Sequence, residues 1–424
     1  MTAHGMKTIA LIPAGDRFED FFDKIGVSLD TFRDELTGGW LFNYIKALRL
    51  AGVRTVLIYV SARVDRVVQF VHRDTEAPVW VLPSPRLHVK SRNAQRRFFP
   101  DSPVLTAVPS YVAIPLPALA RVLRHERCDA VLCQEYEHPR FDSCVWLGRF
   151  LHMPVFATYQ GGHEAKNALE RLARRSSIHL CAGLIIPSQH ESHRVRSAYN
   201  VPPRKIAAIR NPVEPLPREL AGRHEVRARL GVGDQTRVVA WHGRVQIQTK
   251  GLDVLLEAWD RICLEQPHAD ILLLLVGTGR DAGVLRDRLQ SSARCMWVDR
   301  YVLDRRELWS YLRAADVYTI TSRREGFAVA VLEAMACGLP VVASDSPGVI
   351  DVVPGREADG ALIVPREDAV SLAAALVRMM NDPDMAKRFG ALAQRRIEEE
   401  CSLDVVGSRL RQFLFPQSPA ADHG

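Results

Sequence analysis

Short apolar runs recur along the chain with room for a helix between them. KTIALIP (7–13), VRTVLIYVS (53–61), DAVLC (129–133), PVFATYQ (154–160) and GLIIPS (183–188) lack the polar alternation of a half-exposed sheet and read as buried strands. Between the first two, TGGWLFNYIKALRLAG (37–52) has helical periodicity, opened by a glycine pair and closed by Gly52. This is the period of a parallel sheet covered by helices. NPVEPLPRELAGRHEVRARLGVGDQT (211–236) interrupts it with three prolines in its first seven residues. A second series follows: strands RVVAWHG (237–243), DILLLLVGTG (270–279), DVYTITS (316–322) and LPVVASD (339–345), with helices GLDVLLEAWDRICLEQ (251–266), RRELWSYLRAA (305–315) and FAVAVLEAMACG (327–338). The pattern predicts an α/β protein of two doubly wound, Rossmann-like domains, 1–212 and 237–400, joined by a linker at 213–236. Residues 401–424 are expected to form a last helix and a frayed tail. Residues 63–110 show no clear period and are expected to be loops over the first domain.

Composition narrows the class. With 424 residues and 47% hydrophobic content the chain can bury two cores. The opening MTAHGMKTIALIPAG has too short an apolar run, cut by Pro13 and Gly15, for a signal peptide. No stretch approaches a membrane span, so the cytoplasm is the expected location. The eight cysteines form no Cys-x-x-Cys pair and read as buried, reduced thiols. A formal charge of +7, from 56 basic and 49 acidic residues, is modest for the size. No nucleic-acid-binding signature accompanies it, and none is expected as a partner.

Ligands of open parallel sheets sit at the carboxyl ends of the strands. Four such ends converge in the second series: GRVQIQTKG, VGTGR, SRREG and SDSPG. Arg244 and Lys250 can bring two cations to one anionic group, Arg through a fork and Lys as a point charge. Glu325 stands at the mouth of strand 316–322, beside the free amides expected at the start of the next helix, Gly326 and Phe327. Glu333 lies about two turns into that helix within LEAMACG, an apolar setting unsuited to a solvated charge. Eight residues of helix would separate the two acids by roughly 12 Å, which suits the two ends of a hydroxyl-rich ligand better than a shared proton.

These residues resemble a known family. HGRVQIQTKGLDVLLEAW, LLLLVGTGR, LRAADVYTITSRREGFAVAVLEAMACGLPVVASDSPG and GALIVP are similar, in order, to the donor half of retaining GT-B glycosyltransferases of the GT4 type, whose E-x7-E spacing is matched by Glu325 and Glu333. IRNPVE (209–214) resembles the family's interdomain stretch, and the likeness continues more weakly through the first half. The resemblance implies two Rossmann-like domains facing each other across a cleft that closes on the substrate, with the last helix crossing back to the first domain. It implies transfer of a sugar from a UDP- or GDP-linked donor to a hydroxyl acceptor with retention, without a metal or other cofactor. Arg244 and Lys250 would hold the diphosphate, Glu333 the ribose, and Glu325 with the amides of Gly326 and Phe327 the transferred sugar. Gly38 and Gly39 would let backbone approach the diphosphate, and the base would lie near Gly277, Gly279 and Tyr301. Where many members carry a histidine that contacts the sugar, this chain has Gln160, which cannot carry a proton at neutral pH. His163, His138 and Glu135 are the other candidates on the acceptor side. A GT-B phosphorylase, a nucleotide-sugar epimerase and a non-catalytic nucleotide-sugar binder are the alternative readings.

RLHVKSRNAQRRFF (86–99) concentrates basic residues ahead of two phenylalanines. It reads as a solvated loop, as a site for a soluble anionic acceptor, or as a peripheral contact with the anionic inner face of a membrane.

Overall fold

The computed structural model describes residues 6–98, 108–162, 167–217 and 219–416. The chain divides into two compact units, the first of Met1–Glu35, Leu41–Pro212 and Leu403–Gly424, the second of Leu36–Trp40 and Val213–Ser402.

In the first unit, β1 (Lys7–Ile12), β2 (Val53–Ser61), β3 (Val68–Val71), β4 (Pro78–Pro83), β5 (Ala130–Gln134), β6 (Val155–Thr158), β7 (Gly183–Ile185) and β8 (Ile206–Ala207) form one sheet of order β3-β4-β2-β1-β5-β6-β7-β8. Only the β3–β4 pair is antiparallel. Helix α1 (Trp40–Leu50) links β1 to β2, and α2 (Arg86–Phe98) follows β4. Helices α3 (Leu116–His125), α4 (Pro139–Leu151), α5 (Ala168–Leu180) and α6 (Gln189–Tyr199) precede β5, β6, β7 and β8 in turn. The last four connections run the same way across the sheet, so right-handed crossovers put α3 to α6 on one face and α1 on the other. Leu119, Val145, Ile178 and Val195, one from each of α3 to α6, share a single core. On the opposite face the C-terminal helix (Leu403–Leu414) lies against α1, and Phe413 packs on Phe156.

The second sheet is wholly parallel. β9 (Arg237–His242), β10 (Ile271–Val276), β11 (Cys295–Val298), β12 (Val317–Ile320), β13 (Val341–Ser344) and β14 (Ala361–Val364) take the order β11-β10-β9-β12-β13-β14. The order reverses between β9 and β12, which makes that boundary the topological switch point. Helices α7 (Arg223–Leu230), α8 (Leu252–Glu265), α9 (Arg305–Ala314), α10 (Val329–Ala336) and α11 (Pro383–Glu400) belong to this unit.

Four expectations are corrected. Residues 63–110 are not simply loops, since β3, β4 and α2 fall there. Within α2, His88 is buried with its Nδ1 at 2.8 Å from the Pro109 carbonyl, and Arg92 is paired with Asp20, so these two do not belong to an exposed basic patch. Phe99 lies outside the described residues. The supposed linker 213–236 is part of the second unit. It contains α7, whose Arg227 is fully buried and reaches Asp316 at 2.9 Å, while Arg223 meets the same carboxylate at 2.6 Å. None of the eight cysteines forms a disulfide, but Cys263, Cys295 and Cys337 are only half-buried. Among the described residues no helix is long and apolar enough to cross a membrane.

A Cβ on Gly407 would fall on the carbonyl oxygen of Ala47 in α1. Gly407→Val is therefore expected to destabilise the first unit by about 2 kcal/mol, a cost typical of overpacking. Calorimetry should show its unfolding midpoint falling by several degrees, and an unchanged midpoint would refute the close approach.

Candidate active site

The switch point brings two strand ends together. β9 delivers His242 and the loop to Lys250, and β12 delivers Thr321, Ser322 and the loop to Glu325. Helix α8 starts against β12 because Gly251 has φ +62° and no side chain, where a Cβ would collide with the Thr321 carbonyl. That approach sets Lys250, the residue before it. The Lys250 ammonium lies 2.6 Å from Glu325 Oε1, which also accepts from the Ser322 hydroxyl at 2.6 Å. The Lys250 and Glu325 side chains are only 16% and 12% exposed, so the pair is held largely out of water. Arg244 is exposed in the same loop. The resemblance implies that Lys250 holds a diphosphate; in the structure its partner is Glu325, itself an expected site residue.

Glu333 is 5% exposed on α10 and is held from two sides. His242 Nε2 lies 2.8 Å from one oxygen, and the Arg305 guanidinium pairs with the other. Burial, reinforced by Arg305 and Lys250, pushes His242 down to about 3, so the ring is neutral and its Nε2–H donates to the carboxylate. Burial also lowers Arg305, to about 10, which leaves it charged at neutral pH. Sequence reasoning missed both residues. His242 had a visible signal, a polar residue closing the apolar strand RVVAWH beside Arg244; Arg305, the first residue of α9, had none.

The predicted glycines serve close backbone approach. A Cβ on Gly277 (φ +130°) would collide with the Gly243 carbonyl, and one on Gly279 with the Val245 carbonyl, so these residues let the loops after β9 and β10 stack. Tyr301 is half-buried near Arg305 and Arg244, its phenol raised by burial. Gly38 and Gly39, with φ +66° and +87°, belong to the second unit. A Cβ on Gly38 would lie 2.5 Å from Arg305 Cγ, and the Arg305 amide donates to the Thr37 hydroxyl at 3.0 Å. The helix expected from residue 327 begins at Val329. The Ala328 amide is taken by the Gly348 carbonyl, whereas no acceptor is found among the described residues for the amides of Gly326 and Phe327.

The acceptor-side candidates lie in the first unit. Glu135 is 7% exposed, has φ +99°, and accepts the amides of Glu137, Gln160 and Gly162 at 3.0, 3.1 and 2.6 Å. Burial lifts its carboxyl to about 7. It ties two loops together rather than lining an open surface. Gln160 exchanges amide hydrogen bonds with Asn211 at 3.3 and 3.2 Å, and Asn211 also accepts from Tyr44. His138 caps α4 through Nδ1, which accepts the Arg140 amide, and its Nε2 lies 3.4 Å from Asp16. Burial lowers it to about 4. His163 lies outside the described residues. Among the described residues no group of three or more His, Cys, Asp or Glu side chains is placed to hold a metal ion.

Two doubly wound units, one with a polar site at its switch point, define the GT-B class of fold. Sucrose-phosphate synthase from Thermosynechococcus elongatus superposes with a TM-score of 0.69 at 19% identity, covering 96% of this chain and 98% of that one. The profile of Glycosyltransferase Family 4 matches residues 41–215, and that of Glycosyl transferases group 1 matches residues 236–382. The chain belongs to this family of glycosyltransferases. It is 33% identical over 197 residues to a GDP-mannose-dependent monoacylated alpha-(1-6)-phosphatidylinositol monomannoside mannosyltransferase of Corynebacterium glutamicum, covering 44% of this chain and 49% of that one. It is 29% identical over 229 residues to a D-inositol 3-phosphate glycosyltransferase of Jonesia denitrificans, covering 51% and 53%. The chain thus spans about half the length of the curated relatives it matches.

The neutral histidines predict an acid-side loss of stability. His242 and His138 titrate near 3 and 4 in the folded protein, against 6.5 for the free side chain. The unfolded chain binds the extra protons first, so stability falls as pH drops below about 6.5, by about 1.4 kcal/mol per pH unit for each histidine. Glu135, raised from 4.5 to about 7, works in the opposite sense: its contribution is present at low pH and is lost as pH rises through that interval. Denaturant titrations between these limits should show a shallower acid-side slope for His242→Asn than for wild type. Equal slopes would remove His242 as a buried neutral group.

Proposed function

We propose that the chain is a retaining, metal-independent glycosyltransferase that moves a sugar from a UDP- or GDP-linked donor to a hydroxyl acceptor. The observation that carries this reading is the pairing of two carboxylates with two cations, Lys250 with Glu325 and Arg305 with Glu333, at the switch-point edge of a parallel sheet. In this reading the Glu333 carboxylate accepts from the ribose hydroxyls, and Arg305 and His242 orient it. Glu325, with the amides of Gly326 and Phe327, takes hydroxyls of the transferred sugar. Arg244 and Lys250 take the diphosphate, Lys250 exchanging a carboxylate partner for a phosphate one. The bond from C1 to the diphosphate oxygen breaks as a bond from C1 to the acceptor oxygen forms on the same face, and the acceptor's proton passes to the departing phosphate. Negative charge grows on the diphosphate during this step, so fixed cations there favour the transition state over the ground state.

The acceptor belongs, in this proposal, with the carboxyl edge of the first sheet, near Asp16, His138 and Gln160. The names of the two relatives supply the first acceptors to try, a phosphatidylinositol mannoside and inositol 3-phosphate. A cytoplasmic location with peripheral contact at an anionic membrane is part of the proposal. Of the segment first expected to make that contact, Arg86, Lys90, Arg97 and Phe98 are exposed.

Glu325→Ala should cut turnover far more than it weakens UDP or GDP binding, and Glu333→Ala should mainly weaken binding, as read by calorimetric titration beside initial rates. The reverse pattern would exchange the two roles. Arg244→Ala and Lys250→Ala should each lose on the order of a hundredfold in kcat, as expected for removing one donor from a developing negative charge. Wild-type turnover should survive a chelator; strict dependence on added divalent ion would overturn the metal-free mechanism. Release of sugar phosphate only with inorganic phosphate would point to a phosphorylase, and consumption of donor without acceptor to an epimerase.

A further inference from the structure

Charge in the first unit is sorted by burial. Helices α3 to α6 cover one face of the sheet, and every carboxylate on them is turned inward: Asp142, Glu170 and Glu191 are 2%, 7% and 4% exposed. The guanidinium of Arg174, itself fully buried, lies 3.3 Å from Asp142 and 4.0 Å from Glu170, while Arg194 bridges Glu191 and Glu137. Those acids are therefore neutralised inside the unit and contribute little to the field outside it.

The outer side of the same four helices carries cations alone. Arg121, Arg124, Arg149, Arg171, Arg175 and Arg196 are exposed. None of the six has an ion-pair partner among the described residues. Large apolar side chains stand between them: Trp146, Phe150, Leu172 and Leu180 are 56%, 77%, 64% and 38% exposed. Trp146 and Phe150 are four residues apart on α4 and project from one side of the helix, with Arg149 next to them. Two grooves flank α5. One, of about 470 Å³, sets Arg171, Arg175 and Arg194 around Leu172 and Tyr199. The other, of about 330 Å³, lies between Val145, Arg149 and Leu180.

We propose that the α3–α6 face is a docking surface for a bilayer rich in anionic lipid, with Trp146 and Phe150 entering the interfacial layer and the arginines meeting headgroup phosphates. Two features favour a membrane over a soluble polyanion. A polyanion would engage the arginines but leave exposed aromatic surface in water, whereas aromatic rings settle at the boundary between headgroups and acyl chains. The cations are also spread over four neighbouring helices at roughly 10 Å spacing, a broad surface rather than a single strand-sized groove. The proposal rests on the membrane contact in the reading above, is independent of the sugar-transfer reaction, and moves that contact from residues 86–99 to the α3–α6 face.

The full chain should co-sediment with vesicles of phosphatidylcholine and phosphatidylglycerol, and not with phosphatidylcholine alone. Binding should weaken as salt shortens the reach of the charges. Arg121→Glu combined with Arg171→Glu and Arg175→Glu should lower partitioning about tenfold or more, and Trp146→Ser with Phe150→Ser should lower it at least several-fold at unchanged charge. Lys90→Glu with Arg97→Glu, on α2, should change it less than about twofold. Circular dichroism and nucleotide binding, read on each variant, exclude misfolding as the cause. Wild-type Trp fluorescence should shift blue on vesicle addition, and Trp146→Phe should abolish most of that shift. Release by the α2 variant but not by the α3–α6 variants would overturn the assignment. Undiminished binding after loss of both aromatics, with equal affinity for dextran sulfate, would make the face a polyanion site and overturn the membrane proposal. A wild type left in the supernatant at low salt would do the same.

Discussion

A carboxylate taken out of water at the edge of a parallel sheet has to be met by a counter-charge at contact distance or give up its charge. In the second unit this constraint governs the parts around the site. Glu333 sits within a buried helix because Arg305 and the neutral His242 hold its two oxygens, and Glu325 sits at a strand end because Lys250 and Ser322 hold one of its own. Removing one member of such a pair leaves an uncompensated charge, a loss of about 3–5 kcal/mol, while the intact pair adds little net stability. The pairs are thus poor candidates for selection as stabilisers and good ones for function. In the proposed reaction the arriving diphosphate offers Lys250 another anion in place of Glu325.

Those contacts depend on backbone packing that side chains would forbid. Gly251 lets α8 touch β12, Gly277 lets the loop after β10 touch the loop after β9, and Gly348 lets the segment after β13 press on Glu325, where a Cβ would stand 2.5 Å from the Glu325 carbonyl oxygen. Three glycines thus bring four strand ends within reach of one another. The spacing of charged residues in the sequence becomes a spacing in space only through them.

This explains what the sequence disclosed and what it did not. The central strands were legible because a sheet buried on both faces writes itself as a continuous apolar run. The edge strand β3, only four residues long and half-exposed, leaves no such mark. Helix α2 was hidden by its arginines, of which Arg92 is neutralised by Asp20, a partner no local pattern reveals. Helix α7 was hidden by the prolines before it and by Arg227, whose burial is allowed only by Asp316. At the site, Glu325, Glu333, Arg244 and Lys250 were visible through their spacing. Arg305 was not, because its role arises from a contact with a residue 28 positions away. Glu135 and Gln160, expected on the acceptor side, also make contacts that no local pattern reveals, Glu135 with the amides of Gln160 and Gly162 and Gln160 with Asn211.

Net charge failed as a guide for a related reason. An excess of seven positive charges over the whole chain is unremarkable, and it conceals how burial separates the signs. In the first unit Arg174 and Arg194 are drawn inward by three carboxylates that the helices must bury, and Arg140 is buried against the Pro13 carbonyl, so the acids and an equal number of arginines leave the surface together. The remaining arginines on α3 to α6 then have no carboxylate among the described residues of their own face to answer them. The excess of cations is written in the composition of these four helices, and packing turns it into a field of one sign by withdrawing every acid from the surface. The same demand for a counter-charge that sets Arg305 beside Glu333 in one unit draws Arg174 and Arg194 inward in the other and leaves its outer helices basic.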